Sequence, residues 1–327
     1  MQPNRPRTQE LEERPEAYLG PDLNPDGLQL QPEKLADGVY ALMANIPPKD
    51  NNGVIVGERA ALVVDAGVNG AISHQIQAIA RQLTDKPLLY LVNTTYHGDH
   101  TFGNYAFPST VTIISSKLNK ESMRDLAYEK RMRAGNLRGN LKAIADVQTW
   151  RRPDIVFDRF CAVDLGDQVV ELWCFGPGNA PGDTIVYVPS AKVAWTGNFL
   201  MRAGIAPMLL EGGPAPYIQT LHAMQATLDV ATIVPGHGPM GDAAPAIDSL
   251  LNYLEELQAK VQTGIDRGQS VDEILSAYDV PRSLTLPPQI VAASTINPLN
   301  HHLHRLNVLA TYRDLEGQSR AATRPNQ

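Results

Sequence analysis

The chain has 327 residues, of which 43% are hydrophobic and 19% are charged, a composition typical of a globular protein with one large α/β domain or two modest ones. The formal net charge of −7 argues against a general binder of nucleic acids or anionic membranes, and we expect neither as a partner. The most basic stretch runs from Lys130 to Arg138, and its interleaved Met and Gly residues favour a solvated helix face.

Residues 1–34 are polar and Pro-rich, without a sustained period. We therefore predict an N-terminal extension over 1–34 and one domain over 35–327. The N-terminus lacks an apolar core segment, and no apolar run reaches about 18 residues, so neither a signal peptide nor a membrane span is expected. Cys161 and Cys174 lack CxxC spacing and are expected to be reduced, which favours a cytoplasmic location.

From Gly38 onward, short runs of β-forming residues alternate with amphipathic segments. Strands are predicted at 39–43, 53–57, 60–65, 86–92, 111–114, 155–160, 168–175, 184–188, 193–196 and 231–234. Helices are predicted at 71–83, 119–132, 216–228, 246–267, 270–278 and 300–315, the last with Asn300 as its N-cap. This order indicates an α/β protein in which two sheets pack face to face under helices.

The sequence LLYLVNTTYHGDHTFGN, residues 88–104, contains the most informative loop. Its apolar start predicts a buried strand, and His97, Asp99 and His100 follow directly. Imidazole and carboxylate are ligands that Zn²⁺ accepts. Sequence neighbours such as Asp99 and His100 point apart on a regular element, so only an irregular loop lets both contact one ion.

Four further loops follow predicted strands and contain polar or glycine-rich motifs. They are Asp65-Ala66-Gly67, GPGNAPGDT at 176–184, Thr196-Gly197-Asn198 and Pro235-Gly236-His237-Gly238. Together with the 95–100 loop, their order and spacing resemble the metallo-β-lactamase superfamily, whose motifs are HxHxDH, GHTPGD, TGD and PGHG. The resemblance covers residues 37–245 and implies a four-layer αββα sandwich with the active site at one edge of the two sheets. Residues 304–317 also resemble the closing helix of some bacterial members, which extends the domain through helices at 243–316.

Three family ligand positions are occupied here by other residues. Thr95 stands where the family has its first histidine, Asn179 where it has the histidine of the GHTPGD loop, and Asn198 where it has the aspartate that bridges two metals. The resemblance therefore leaves only His97 at the first metal position. One imidazole does not hold zinc, because protein sites normally supply three ligands or more.

The second metal position keeps Asp99, His100 and His237, with Asn198 as a weak neutral ligand. Two histidines and one carboxylate with an open position satisfy the rule for catalytic zinc, and they equally fit non-haem iron. A neutral Asn198 removes an anion and weakens the hold on a dication. We therefore expect at most one Zn or Fe ion, and a metal-free site is the alternative.

Within the site, His97, Asp99, His100, Asn179 and Tyr96 are the candidate catalytic residues. Asp65 is expected to orient the site loop through hydrogen bonds. By contrast, Asp183 is expected to be a turn residue, and the three histidines of the last helix are expected to pack or to be solvated, because their spacing places them on different faces: His301, His302 and His304.

Three functions remain open from the sequence. The first is a hydrolase that uses one metal-bound water to attack an ester, thioester or lactone of a small organic molecule. The second is a metal-independent lyase, decarboxylase or cyclase with His and Asp as acid and base. The third is a non-catalytic binding protein that keeps only the fold. Segments 132–153 and 283–298 are candidate lids over an apolar pocket, and the oligomeric state is not readable.

Overall fold

The computed structural model describes residues 20–209 and 213–322, with side chains described as far as residue 317. Residues 1–19 of the predicted N-terminal extension therefore lie outside the described part of the chain. No helix in the described ranges is long and apolar enough to cross a membrane.

The first sheet has seven strands in the order β1-β2-β3-β4-β5-β6-β7. Its N-terminal strands pair antiparallel, and β4, β5, β6 and β7 pair parallel. The strands are β1 (Leu30–Ala36), β2 (Val39–Ala44), β3 (Asn52–Val56), β4 (Ala61–Val64), β5 (Leu88–Val92), β6 (Thr112–Ser116) and β7 (Ile155–Phe157).

The second sheet has six strands in the order β13-β12-β11-β10-β9-β8. Only β11 and β12 pair parallel. The strands are β8 (Phe160–Asp164), β9 (Val169–Trp173), β10 (Ile185–Val188), β11 (Val193–Gly197), β12 (Thr232–Pro235) and β13 (Gly241–Asp242).

Eight helices occur in the described residues. They are α1 (Gly70–Leu83), α2 (Gly98–Thr101), α3 (Lys117–Ser122), α4 (Leu126–Ala134), α5 (Pro214–Thr227), α6 (Ala243–Asp266), α7 (Val271–Ala277) and α8 (Ala293–Ala322). Short 3-10 turns lie at Phe102–Ala106, Leu141–Ile144 and Arg282–Leu284.

The strand residues alternate between two apolar layers, because successive side chains of a strand point to opposite faces. On β4, Leu62 and Val64 enter the core between the sheets, where Trp195 also lies. Val63 faces the other way and packs with Ile76 of α1. A third core joins the outer face of the second sheet to α5 and α6. The predicted four-layer αββα sandwich is thus confirmed.

Four predicted elements differ from the structure. The predicted helix 119–132 is two helices, α3 and α4. Strand β1 begins at Leu30, so residues 30–34 of the segment assigned to the extension lie in the first sheet. The predicted strand 155–160 is two strands, one in each sheet. The predicted N-cap Asn300 is wrong, since α8 begins at Ala293 and runs through Pro298.

Asn300 and Asn307 lie about two helical turns apart on α8, and both bind the loop at 204–209. The Asn300 side chain accepts from Ala206 N at 3.0 Å and donates to the carbonyl oxygens of Gly204 and Leu284 at 2.8 and 2.7 Å. Asn307 accepts from the backbone N–H of Leu209 at 2.9 Å. Both amides are buried, so their hydrogen bonds replace water at the loop backbone.

We predict that Asn300→Ala destabilises the protein by about 2–4 kcal/mol, because buried backbone groups lose their partners. The free energy of unfolding in urea measures this. Arg305→Ala, an exposed change on the same helix, is the control and should cost little. An equal effect of the two substitutions would contradict the prediction.

His304 is buried between α6 and α8. Its Nε2 donates to the Tyr278 carbonyl oxygen at 3.2 Å, and its Nδ1 lies 3.0 Å from the Tyr253 hydroxyl. Burial lowers the pKa of His304 below the ordinary 6.5. The packing role expected for this residue is confirmed, whereas His301 is exposed.

Because the unfolded chain takes up this proton first, the contribution of His304 to stability is complete above about pH 6.5 and is lost as the pH falls below it. We expect wild-type protein to lose more unfolding free energy between about pH 7.5 and 5.5 than His304→Gln does. Urea unfolding at both pH values measures the difference. Parallel pH profiles of the two proteins would disprove it.

Candidate functional site

The site lies where strands of both sheets end. In the first sheet, β4 leads into Asp65 and β5 into residues 93–100. In the second sheet, β11 ends at Gly197 and β12 leads into Gly236 and His237. Strands β4 and β5 are parallel, and so are β11 and β12, so the carboxyl ends of each pair lie at the same edge of their sheet.

Asp65 holds the histidine-containing loop in place. Its carboxylate accepts from the Thr94 backbone N–H at 2.8 Å, from the Thr94 hydroxyl at 2.6 Å and from His100 Nδ1 at 2.9 Å. The backbone of Asp65 has a φ of 61°, a left-handed conformation that aspartate tolerates better than most residues. These contacts agree with the orienting role predicted for Asp65.

Four side chains form a cluster in which one ligand atom from each lies within 4.8 Å of the others: Asp50, Asp99, His100 and His237. Asp99 Oδ2 is central, at 3.4 Å from His100 Nε2 and 3.3 Å from His237 Nε2. The side chains of Asp50, Asp99 and His100 are at most 2% exposed, whereas that of His237 is 12% exposed. The cluster therefore opens to solvent beside His237.

The far side of each imidazole fixes its tautomer. His100 Nδ1 contacts the Asp65 carboxylate, and His237 Nδ1 lies 2.9 Å from the Pro48 carbonyl oxygen. A carbonyl oxygen can only accept, so His237 carries hydrogen on Nδ1 and presents the lone pair of Nε2 to the cluster. A carboxylate or carbonyl behind a metal-binding histidine is the usual arrangement around zinc.

The cluster fits a divalent cation. Metal–ligand bonds of about 2.0–2.1 Å in a tetrahedron place neighbouring ligand atoms about 3.3–3.4 Å apart, which is the separation of Asp99 Oδ2 from each Nε2 atom. Asp99 Oδ2 and His100 Nε2 are buried and make no hydrogen bond, and Asp50 Oδ1, also without one, lies 3.2 Å from His237 Nδ1. Two histidines and two carboxylates suit Zn²⁺ or Fe²⁺.

Asp50 was missed by the sequence analysis, which named no residue between β2 and β3 as a ligand. It pairs with His237 in an isolated antiparallel bridge that joins the two sheets. The neighbouring Asn51 secures this junction, since its backbone N–H donates to Gly236 O at 2.8 Å and its amide donates to Pro235 O and Gly238 O. Asp50 thus reaches the site from a loop without any metal-binding motif.

Burial and charge perturb the acid–base groups of the cluster strongly. Burial, reinforced by the charge of Asp99, raises the pKa of Asp50 to about 7. Burial opposes the charged forms of His100 and Asp99 as well. The carboxylates of Asp65 and Asp99 nevertheless raise the pKa of His100 to about 10, and the cations around Asp99 hold its pKa well below the ordinary range.

The expectation of a solvated face at 130–138 is wrong for Arg133. Its side chain is 4% exposed, and its Nη1 lies 3.2 Å from Asp99 Oδ1. Its Nε lies 3.1 Å from Glu129 Oε1, and the same oxygen accepts from the Gly98 backbone N–H at 2.8 Å. Interleaved Met and Gly residues did not distinguish this buried arginine from its exposed neighbour Arg131.

His97 lies apart from the four-residue cluster, at the N-cap of α2. Asn198 Nδ2 lies 3.1 Å from His97 Nδ1. Tyr96 contacts the His97 ring edge-on at 4.5 Å and packs in a buried group with Met123 and Ala180. The catalytic roles of these residues, and metal ligation by Asn198, remain predictions.

Asn179 lies in the loop before β10 and is buried. Its Nδ2 donates to the Met208 carbonyl oxygen at 2.7 Å, and its Oδ1 makes no hydrogen bond. Asp183 closes the same loop by accepting from Ala180 N at 2.9 Å, as its predicted turn role requires. Burial raises the pKa of Asp183 to about 7.

Both candidate lid segments border the site loops. Trp150, in the segment 132–153, donates to the Thr101 hydroxyl at 2.9 Å. In the segment 283–298, Ile296 packs with Ile205, and both reach within 3.2 Å of the position that a Cβ on Gly238 would take. Apolar side chains therefore pack against Gly238, the residue that follows His237.

Comparison with known proteins agrees with this geometry. The family model of the metallo-beta-lactamase superfamily matches residues 48–237, more than half of the chain. The matched range includes all four cluster residues. The protein belongs to the metallo-β-lactamase superfamily, as the sequence resemblance predicted.

Solved structures show the same fold at low identity. A double mutant of the sec-alkyl sulfatase PisA1 superposes with a TM-score of 0.67 at 13% identity, covering 100% of this chain and 62% of that one. A metallo-beta-lactamase from Pontibacter korlensis gives 0.53 at 17% identity over 69% of this chain and 99% of that one. A metallo-beta-lactamase from Erythrobacter litoralis superposes with a TM-score of 0.53 at 19% identity, covering 69% of this chain and 96% of that one.

We predict that purified protein binds about one equivalent of Zn²⁺, as a single four-ligand site requires. Asp50→Asn should weaken binding at least about 10-fold, and Asn198→Ala should weaken it less. Competition against a chromophoric chelator measures both affinities. The exposed Asp37→Asn is the control, and a larger loss in Asn198→Ala than in Asp50→Asn would contradict the assignment of Asp50.

Proposed function

We propose that the protein is a hydrolase that uses one divalent cation, Zn²⁺ or Fe²⁺, to cleave a neutral ester, thioester or lactone. The supporting observation is the convergence of His100 Nε2 and His237 Nε2 on one buried oxygen of Asp99, with Asp50 as the fourth side chain. Membership of a superfamily rich in hydrolases adds to this.

Different residues would bind the cation and orient its histidine ligands. Asp50, Asp99, His100 and His237 would hold the cation, which when bound lowers the pKa of coordinated water and polarises a carbonyl group. Asp65 and the Pro48 carbonyl keep the two imidazoles in the binding tautomer.

His97 and Asn179 would form hydrogen bonds with the substrate. With Asn198 Nδ2 donating to Nδ1 of His97, that ring carries its hydrogen on Nε2 and is suited to donate to a leaving group. The free Oδ1 of Asn179 can accept a hydrogen bond from substrate.

The charge of the site favours a neutral substrate. Two carboxylate ligands cancel the charge of a dication, and Arg133 is engaged by Asp99 and Glu129. The described residues of the cluster thus leave no excess positive charge to attract a sulfate, phosphate or carboxylate group. Ile205, which is half-buried and packs near Gly238, suits an apolar acyl chain.

A panel of p-nitrophenyl acyl esters, thioesters and lactones, run beside p-nitrophenyl sulfate and phosphate, tests the proposal. We expect turnover of the neutral compounds, loss of activity in chelator, recovery with Zn²⁺ or Fe²⁺, and a large loss in His237→Ala. Leu118→Ala, a change of an exposed residue, should leave activity unchanged. Turnover of only the sulfate or phosphate would overturn the choice of substrate.

A metal-independent enzyme is the second candidate, favoured by one observation. His100 bridges the carboxylates of Asp65 and Asp99, an arrangement that can hold a proton in place of a cation. Acid–base chemistry of a lyase, decarboxylase or cyclase would then use His100 and Asp99. Activity that persists in metal-stripped protein would support this candidate over the first.

A further inference from the structure

We propose that Arg133, held by Glu129, is a positioning residue that fixes the Asp99 carboxylate so that a single oxygen, Oδ2, binds the cation. This inference rests on the proposed metal site. It makes α4 a functional part of the site.

The contacts of Arg133 reach the metal-binding loop at two successive residues. Its Nη1 lies 3.2 Å from Asp99 Oδ1, and its Nε lies 3.1 Å from Glu129 Oε1. That Glu129 oxygen accepts from the backbone N–H of Gly98. The guanidinium of Arg133 is planar, so the ion pair with Glu129 limits the directions from which it meets Asp99.

The two oxygens of Asp99 therefore have different partners. Oδ1 is bound by Arg133, while Oδ2 faces both Nε2 atoms of the cluster. Rotation of the carboxylate would break the charge-assisted contact in a buried place. Asp99 is thus oriented to ligate through one oxygen and not two, which would leave a fifth coordination position for water or substrate beside the four side chains.

Charge alone would give the opposite effect on metal affinity. A cation so close to Asp99 repels a bound metal, so removal of Arg133 should tighten metal binding if only Coulomb forces matter. If Arg133 acts by orienting Asp99, its removal should weaken binding. A lost contact behind a metal ligand typically costs about 10- to 100-fold in affinity. The sign of the change separates the two accounts.

The test is Zn²⁺ affinity by chelator competition, together with the visible spectrum of the Co²⁺-substituted protein. The first variant is Arg133→Lys, which keeps the positive charge but loses the planar guanidinium group. The second combines Glu129→Gln with Arg133→Met, so that the Glu129 charge is removed together with that of Arg133. Arg131→Met, exposed on the same helix, is the control. Circular dichroism shows whether each variant folds.

We expect both Arg133 variants to bind Zn²⁺ about 10- to 100-fold more weakly and to change the Co²⁺ spectrum, which reports coordination geometry. Arg131→Met should match wild type. Unchanged or tighter binding in folded Arg133→Lys overturns the inference while leaving the metal site intact. Wild-type protein that binds neither metal overturns the inference and the metal-dependent function together.

A double-mutant cycle measures whether the effect of Arg133 on metal affinity depends on Asp99, which a general effect on the fold would not produce. Arg133→Lys should lose its effect on affinity when combined with Asp99→Asn, through which it acts. Combined with Asp50→Asn, a change at the ligand supplied by the loop between β2 and β3, its effect should add. Additive effects with both partners would show that Arg133 acts on the fold in general, and the inference would be wrong.

Discussion

Buried negative charge is the constraint on which this site depends. Among the described residues, five buried carboxylates stand against two buried cations, Arg133 and Lys49. The Lys49 ammonium binds the Asp26 carbonyl oxygen, so Arg133 alone is paired with site carboxylates. A buried charge without a partner is costly, and such a site must take up protons or a cation. The raised pKa values of Asp50 and His100 mean that, without a cation, bound protons offset this buried negative charge.

The edge-to-edge junction of the two sheets positions the charges. Asp50 comes from the first sheet and His237 from the second, and Asn51 fastens their loops together. Gly197 makes a second close approach, since a Cβ there would lie 2.4 Å from the Thr94 hydroxyl, which itself binds Asp65. The sandwich core and the site are therefore coupled: a shift of one sheet against the other would separate ligands that lie in different sheets.

Periodicity predicted most of the fold because its strands are short, apolar and bounded by turn residues. It failed where tertiary contacts decide. Asn300 has the residue type of an N-cap, but three buried hydrogen bonds to two other segments hold it inside α8. Arg133 lies in a sequence that reads as solvated, and only the position of Asp99 explains its burial.

Sequence motifs could not identify Asp50 as a ligand, but the pairing of neighbouring strands could have placed it near the site. Metal motifs identify ligands by local spacing, and nothing local marks Asp50. The hairpin of β3 and β4, however, pairs Gly53 with Val64, so residues 50–52 must lie beside Asp65 at the edge that holds the site. A carboxylate just before the predicted strand 53–57 could have been proposed as a ligand from the antiparallel pairing of that strand with the strand 60–65.

The location of Asp50 also bears on the three substituted family positions. The resemblance assigns to position 198 the carboxylate that bridges two metals, and this chain has a neutral amide there that contacts His97. Asp50 brings a carboxylate to the surviving half of the site from the opposite sheet. Asp50 thus offers the proposed metal site a carboxylate, where the resemblance assigns the missing one to position 198. In the proposed function, this arrangement would give a single four-residue cation site beside the contact between His97 and Asn198, which would suit one-metal chemistry on neutral substrates.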